Sequence, residues 1–373
     1  MKTIFIDHEE VLISKDFPYE DLLSISVILR GIDVFVSDDS ATKDDIYSPG
    51  YFIRRAQISK QKTTILPDRN IVSRLAQLAR GEPMDEHRRK AAAVLAYAQC
   101  LDIFIEPSIA FHELGPSHGN DVANEELSWF YVADQGNPYN WINAALGRVN
   151  QIPPMGVPLQ VTTFDVAKGL KRWSCYYSTI LKIAELELSN LSPKQRTINL
   201  FRWMCEEFIL AGHAAMLACL YFAPNSPRQG LLKGLRSSNR EKAISGAKNA
   251  AWDIVHLSDF VRRIRGEIGE ESRQYILATF DSGLKELTQL TLDAGKNGVD
   301  NFENLPLALK KWWPEKDADD IGSIFSTYWH QTGDSTWQNK YQNYPQHIEK
   351  FVVLGEEALR AWHPGVESVS RKS

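Results

Sequence analysis

Three short β-prone runs in this 373-residue chain each lead straight into a helical pattern, and that alternation limits the folds open to it. Thr63-Thr64-Ile65-Leu66 stops at Pro67-Asp68, after which Ile71, Leu75, Leu78 and Ala79 recur at helical spacing. Asp102–Ile105 is followed by Pro107-Ser108, and proline suits a helix's first turn because its missing N–H is not needed there. Gln274–Phe280 is the clearest strand, with Ser282–Leu292 as the helix behind it. Such alternation predicts an α/β fold with a central parallel sheet, in which ligands sit beyond the carboxyl ends of the strands.

The rest of the chain reads as helix around this frame. Apolar runs at Thr3–Ile6 and Ile32–Val36 flank a helical pattern over Leu22–Ile28, and further helices are expected over 85–100 and 121–133. Phe164–Ala223 is helical and aromatic-rich, with breaks at Asn190–Pro193 and Pro224–Pro227. Glu241–Arg265 reads as one long helix, and the chain beyond 295 is mostly helical, broken at Trp312-Trp313-Pro314. The expected organisation is an N-terminal extension over 1–60, able to add to the sheet, and a sheet domain over 61–295. A helical insertion at about 160–245 interrupts that domain, and a helical extension over 296–373 follows it.

Several function classes are excluded early. Four cysteines without a CxxC pair make neither a disulfide scaffold nor a cysteine-built zinc site. Met1–Ile6 followed by Asp7, Glu9 and Glu10 does not resemble a secretory signal. The longest apolar stretch, Phe208–Ala223, is interrupted by Gly212 and His213 and suits a buried helix better than a membrane span, with His213 a core histidine. A soluble, cytoplasmic protein without a membrane partner is expected. No P-loop, GxSxG or HExxH occurs. Asp7 stands where haloacid-dehalogenase phosphatases carry a nucleophile, but Asp7-His8-Glu9 lacks their second Asp.

Acidic residues cluster at the predicted strand ends. Asp68 and Asp281 directly follow strands, Glu113 lies one to two turns into the helix after Ile105, and Asp253 sits in the helix feeding the last strand. Carboxylates gathered on one sheet edge raise one another's pKa unless a cation intervenes. Oxygen-only donors suit Mg²⁺ or Mn²⁺. The alternative is plain: an Asp at a strand-to-helix junction commonly caps the helix and does no chemistry.

The same segments resemble the PIN-domain nucleases, metal-dependent relatives of the flap endonucleases. Ile65-Leu66-Pro67-Asp68-Arg69-Asn70 is similar to that family's strand-end Asp-x-Asn, and Phe104–Leu114 to its strand, helix and internal Glu. Asn249-Ala250-Ala251-Trp252-Asp253 is similar to its helix-borne Asp, and Thr279-Phe280-Asp281 to its closing Thr-x-Asp. The resemblance covers about 63–295, and Glu113 and Asp253 stand 140 positions apart, more than compact members need. It implies one or two Mg²⁺ or Mn²⁺ ions held by Asp68, Glu113, Asp253 and Asp281, with Asn70 and Thr279 in support. Glu106, Glu125 and Glu126 compete with Glu113. The implied activity is metal-assisted hydrolysis of phosphodiesters, in RNA before DNA.

A net charge of −5 hides an asymmetry. Val166–Lys248 carries 13 Lys and Arg against 5 Asp and Glu, a local +8 that leaves −13 on the remainder. Arg228, Lys233, Arg236, Arg240, Lys242 and Lys248 are therefore candidates for binding a nucleic-acid backbone, against the alternative of a solvated face. Trp173, Tyr176, Tyr177 and Trp203 could stack bases, but at helical spacing they suit a core better. The competing functional expectation is a non-catalytic PIN-like scaffold binding a partner protein or nucleic acid. Exposed Trp312, Trp313 and Trp329 on its outer helices would engage a protein partner or a second copy.

Overall fold

The computed structural model describes residues 2–6, 9–37, 45–58, 61–159, 161, 163–227, 230–266, 273–295, 302–332 and 344–363. Internal contacts divide the chain into two units. Unit 1 comprises Met1–Lys168 and Asp259–Phe280, and unit 2 comprises Gly169–Ser258 and Asp281–Ser373.

Unit 1 opens with an antiparallel hairpin, β1 (Lys2–Ile6) and β2 (Glu9–Ile13), in register from Lys2↔Ile13 to Ile6↔Glu9. Val11 and Ile13 are buried while Leu12 between them is exposed, as period-2 geometry requires of a strand covered on one face. Helix α1 (Tyr19–Ile32) ends on Asp33 at φ 49°, a left-handed conformation that Asp adopts more readily than most residues. Next come β3 (Phe35–Val36), α2 (Pro49–Ile58), β4 (Thr63–Pro67), α3 (Arg69–Ala79), α4 (Glu86–Cys100) and β5 (Phe104–Ile105). Three helices, α5 (Ser108–His118), α6 (Asn120–Asp134) and α7 (Pro138–Ala145), precede unit 2, and the last strand of unit 1 is β6 (Gln274–Ala278).

The sheet has four strands in the order β3-β6-β4-β5. β4 is parallel to β5 and to β6, but β3 runs antiparallel to β6, with Phe35 opposite Ala278 and Val36 opposite Leu277. The sheet is thus small and mixed, which corrects the expected central parallel sheet. Thr279 N–H donates to Val34 O (3.0 Å) and fixes β3 on the carboxyl half of β6. An antiparallel edge strand on an otherwise parallel sheet is a common arrangement. Every residue of β4 and β6 is buried. Ile65, Ile276 and Ala278 join Tyr97, Phe111, Phe130 and Trp141 in one core cluster. The run Ala91–Ala98 of α4 is wholly buried, and its small side chains admit α1 and α7 close to its axis.

Unit 2 is helical throughout its described residues. Its elements are α8 (Lys171–Glu187), α9 (Pro193–Glu206), α10 (Gly212–Tyr221), α11 (Arg240–Ile264, to Ser258), α12 (Ser282–Ala294), α13 (Leu305–Leu309), α14 (Glu315–Gln331) and α15 (Tyr344–Ala361). A reciprocal capping box starts α9, where Ser192 and Gln195 each satisfy the other's backbone N–H. Helix α8 packs on α9 and α15. A Cβ at Gly355 would lie 2.7 Å from Leu181 Cβ, so the α8–α15 approach depends on that glycine. The apolar stretch 208–223 contains α10, whose residues Ala214–Tyr221 are buried. No helix among the described residues is long and apolar enough to cross a membrane. Trp312 and Trp313 are only 4% and 3% exposed, and Trp313 Nε1 donates to Cys219 O (2.8 Å). This corrects their reading as exposed partner contacts; Trp329 is half-buried.

Candidate functional site

The polypeptide leaves β4 through Asp68, whose extended backbone (φ −70°, ψ 167°) turns the chain into α3. Ile71 N–H donates to its Oδ1 (3.0 Å), as an N-cap requires. Thr279 Oγ1 donates to its Oδ2 (2.6 Å), and Phe280 N–H approaches the same oxygen at 3.4 Å. β4 and β6 are adjacent and parallel, so the residues just beyond them meet at one edge of unit 1. Asp68 is 5% exposed and Thr279 is fully buried. Asn70 lies exposed on the first turn of α3.

Of the other candidate acids, Glu113 is half-buried on α5 in unit 1, while Asp253 on α11 and Asp281 belong to unit 2. Asp281 is the N-cap of α12 and accepts from Gly283 N–H (2.8 Å) and Leu284 N–H (3.2 Å), with Lys233 Nζ 3.5 Å from its other oxygen. The acids that compete with Glu113 are engaged elsewhere. Glu126 forms a two-pronged pair with Arg69 (2.5 and 2.9 Å), Glu125 pairs with Arg80 (3.3 Å), and Glu106 accepts from Ser108 N–H (3.0 Å) at the start of α5. If capping is the whole role of Asp281, Asp281→Asn will be close to neutral and Asp281→Ala will cost about 1 kcal/mol in a denaturant melt. A stability gain in Asp281→Asn under EDTA would show instead a carboxylate held against repulsion.

The basic block divides on inspection. Arg240 is buried, and its guanidinium donates to the carbonyls of Leu359 (2.7 Å), Leu235 (2.9 Å) and Ser237 (2.8 Å) while standing 4.7 Å from the Trp362 ring. Its donors close the end of α15 and the turn before α11, so Arg240 is a structural cation and its assignment to a nucleic-acid face is corrected. Arg236 reaches the buried Glu187 (3.2 Å), which Arg196 also holds (2.5 Å). Lys248 lies 3.7 Å from Glu356 and over the Tyr177 ring. Lys233, Arg236, Lys242 and Lys248 are exposed; Arg228 lies outside the described residues, as does Asp7. Tyr176, Tyr177 and Trp203 are buried, and half-buried Trp173 stacks on Tyr177 (4.8 Å), which places these rings in the core. His213 Nδ1 is 3.3 Å from Tyr176 Oη, itself 3.0 Å from Ser258 Oγ.

A divalent ion needs several converging donors. Among the described residues, no three His, Cys, Asp or Glu side chains converge closely enough to hold one. The described residues therefore offer no tetrahedral, zinc-type cage. Magnesium keeps several waters and takes one or two carboxylates, and Asp68, a carboxylate just beyond β4, has the donor chemistry of a single hard-oxygen ligand. Comparison with protein-family models, curated proteins and solved structures returns no match, and the functional reading rests on the residues themselves. Sequence reasoning missed the buried Glu187 and its arginines, because charge alone does not report burial. It also missed a cavity at the opposite end of the unit 1 sheet, although a cation stands directly before each long strand, Lys62 before β4 and Arg273 before β6.

Proposed function

We propose that this chain is a metal-dependent nuclease of PIN-like type, hydrolysing phosphodiester bonds in RNA in preference to DNA. Asp68 is its central metal-binding carboxylate, and Thr279 is the positioning residue that holds it. One observation carries the reading: a buried carboxylate beyond the carboxyl ends of two adjacent parallel strands, locked by a hydroxyl at 2.6 Å. Ligands of open α/β sheets bind at that edge, and outer-shell hydrogen bonds of this kind orient metal-binding groups. Mg²⁺ or Mn²⁺ bound there would supply a water of lowered pKa for in-line attack. Glu113, Asp253 and Asp281 are the further acids of this proposal, and Asn70 is a supporting polar group. The exposed Lys233, Lys242 and Lys248 would attract the phosphodiester backbone.

Incubation of end-labelled single-stranded RNA and DNA with the protein tests this directly. Cleavage of RNA in Mg²⁺ or Mn²⁺ and its loss in EDTA are expected. Equal cleavage in EDTA, or none with any divalent ion, would contradict the proposal. The rival reading is a non-catalytic scaffold, and a specific observation favours it: Asp68 and Asp281 both cap helices, a role that needs no ion.

A further inference from the structure

Unit 1 carries a concavity of about 640 Å³, with both polar and apolar lining, at the end of the sheet opposite Asp68. Thr63 and Thr64 begin β4 and Arg273 immediately precedes β6, so the cavity opens at the amino-terminal ends of the two strands whose carboxyl ends meet Asp68. Its size falls within the range of small-molecule sites, and its lining carries charges of both signs: Lys62, Arg263 and Arg273 together with Asp102, Glu106 and Asp134.

Both guanidiniums are held in fixed planes. Arg273 Nη1 donates to Thr64 Oγ1 (3.2 Å) and stands 6.0 Å from the Phe104 ring. Arg263 is bonded through Nε to Asp259 (2.8 Å) and lies 5.7 Å from the Tyr275 ring. Fixing the guanidinium plane beforehand lowers the entropic cost of docking a tetrahedral or planar anion. Arg263 is already paired with Asp259, whereas Arg273, Lys62 and the Thr64 hydroxyl offer two cations and a hydroxyl donor, a set that matches a phosphomonoester dianion. Inorganic phosphate would leave most of the volume empty. Phe104 is 52% exposed although it stands on a strand, a flat apolar surface on which a nucleobase can stack. The carboxylates of the lining are acceptors for sugar hydroxyls or exocyclic amines.

We propose that this cavity binds a mononucleotide: the phosphate lies against Arg273, Lys62 and Thr64, the base on Phe104, and the sugar hydroxyls toward the carboxylates of the lining. The site is separate from the Asp68 edge and does not depend on the nuclease reading.

Isothermal titration of the full chain with adenosine monophosphate, ribose 5-phosphate, adenosine and inorganic phosphate tests it. Adenosine monophosphate should bind most tightly, with each fragment weaker by about tenfold or more. Lys62→Gln and Arg273→Gln should each weaken adenosine monophosphate and ribose 5-phosphate alike, by roughly tenfold. Phe104→Ala, at an exposed position that leaves the fold undisturbed, should weaken adenosine monophosphate and spare ribose 5-phosphate. Asp68→Asn should change none of these affinities, so failure here is distinguishable from failure of the nuclease proposal. Absence of binding at millimolar adenosine monophosphate would overturn the inference, as would unaltered affinity in both Lys62→Gln and Phe104→Ala. Equal affinity for ribose 5-phosphate and adenosine monophosphate would overturn the assignment of the base.

Discussion

Asp68→Asn is expected to lower metal-dependent RNA cleavage by roughly a hundredfold or more, because an ion loses its charged ligand. The fold should survive. Asn caps helices about as well as Asp, so the Ile71 N–H keeps an acceptor. The cost comes on the other side, where one carboxylate oxygen now accepts from both Thr279 Oγ1 and Phe280 N–H. An amide NH₂ in that place can accept from neither, and the mismatch is worth about 1–3 kcal/mol. Thr279→Val separates positioning from ligation: the carboxylate remains but its orientation is released, and Mn²⁺ affinity or kcat/KM should fall by about tenfold or more. Wild-type rates in Asp68→Asn, with folding verified by a denaturant melt, would remove Asp68 from the site.

Glu187→Ala should cost unit 2 about 3 kcal/mol or more of stability. The carboxylate is 4% exposed and holds Arg196 at 2.5 Å, while Arg196 also donates to Ser189 O (3.0 Å). Truncating the acid strands a guanidinium whose side chain is only 13% exposed. Arg236 contacts the same carboxylate at 3.2 Å from a side chain 61% exposed, so Arg236→Gln should cost no more than about 1 kcal/mol. Urea melts of the two variants give both numbers. Similar costs would mean that Arg236 is the structural partner and is not available to an RNA backbone.

Much of the chain's architecture was legible from periodicity. The helix spacing after Asp68, the Pro107 start and the β-branched runs at 63 and 274 all mark elements that form, because local pattern and burial agree at those positions. Register and direction are another matter. Nothing in Phe35-Val36 tells which way a two-residue strand will pair; it runs antiparallel to β6, with the distant Thr279 N–H donating to Val34 O. The hairpin escaped notice because Leu12, on the exposed side of β2, hides the alternation of Val11 and Ile13. Burial of charge was equally illegible: Arg240 and Lys242 count alike in a sequence, yet one is buried among carbonyls and the other is exposed. Within the candidate site, the resemblance implied Thr279 only as a supporting residue, and its hydrogen bond to Asp68 comes from the adjacency of β4 and β6. The capping hydrogen bonds of Asp68 and Asp281 match the alternative that any Asp at a strand-to-helix junction carries.

The central claim, that Asp68 holds a divalent ion, can be tested without knowing the substrate. The measurement is the denaturant midpoint of the wild type and of Asp68→Asn, each with EDTA and with millimolar Mn²⁺. A ligand that binds only the native state stabilises it by about 2.7 kcal/mol at a hundred times its Kd, so the wild-type midpoint should rise with Mn²⁺ and the Asp68→Asn midpoint should not. The same rise in both proteins, or no rise in the wild type, would leave Asp68 a helix cap and contradict the account.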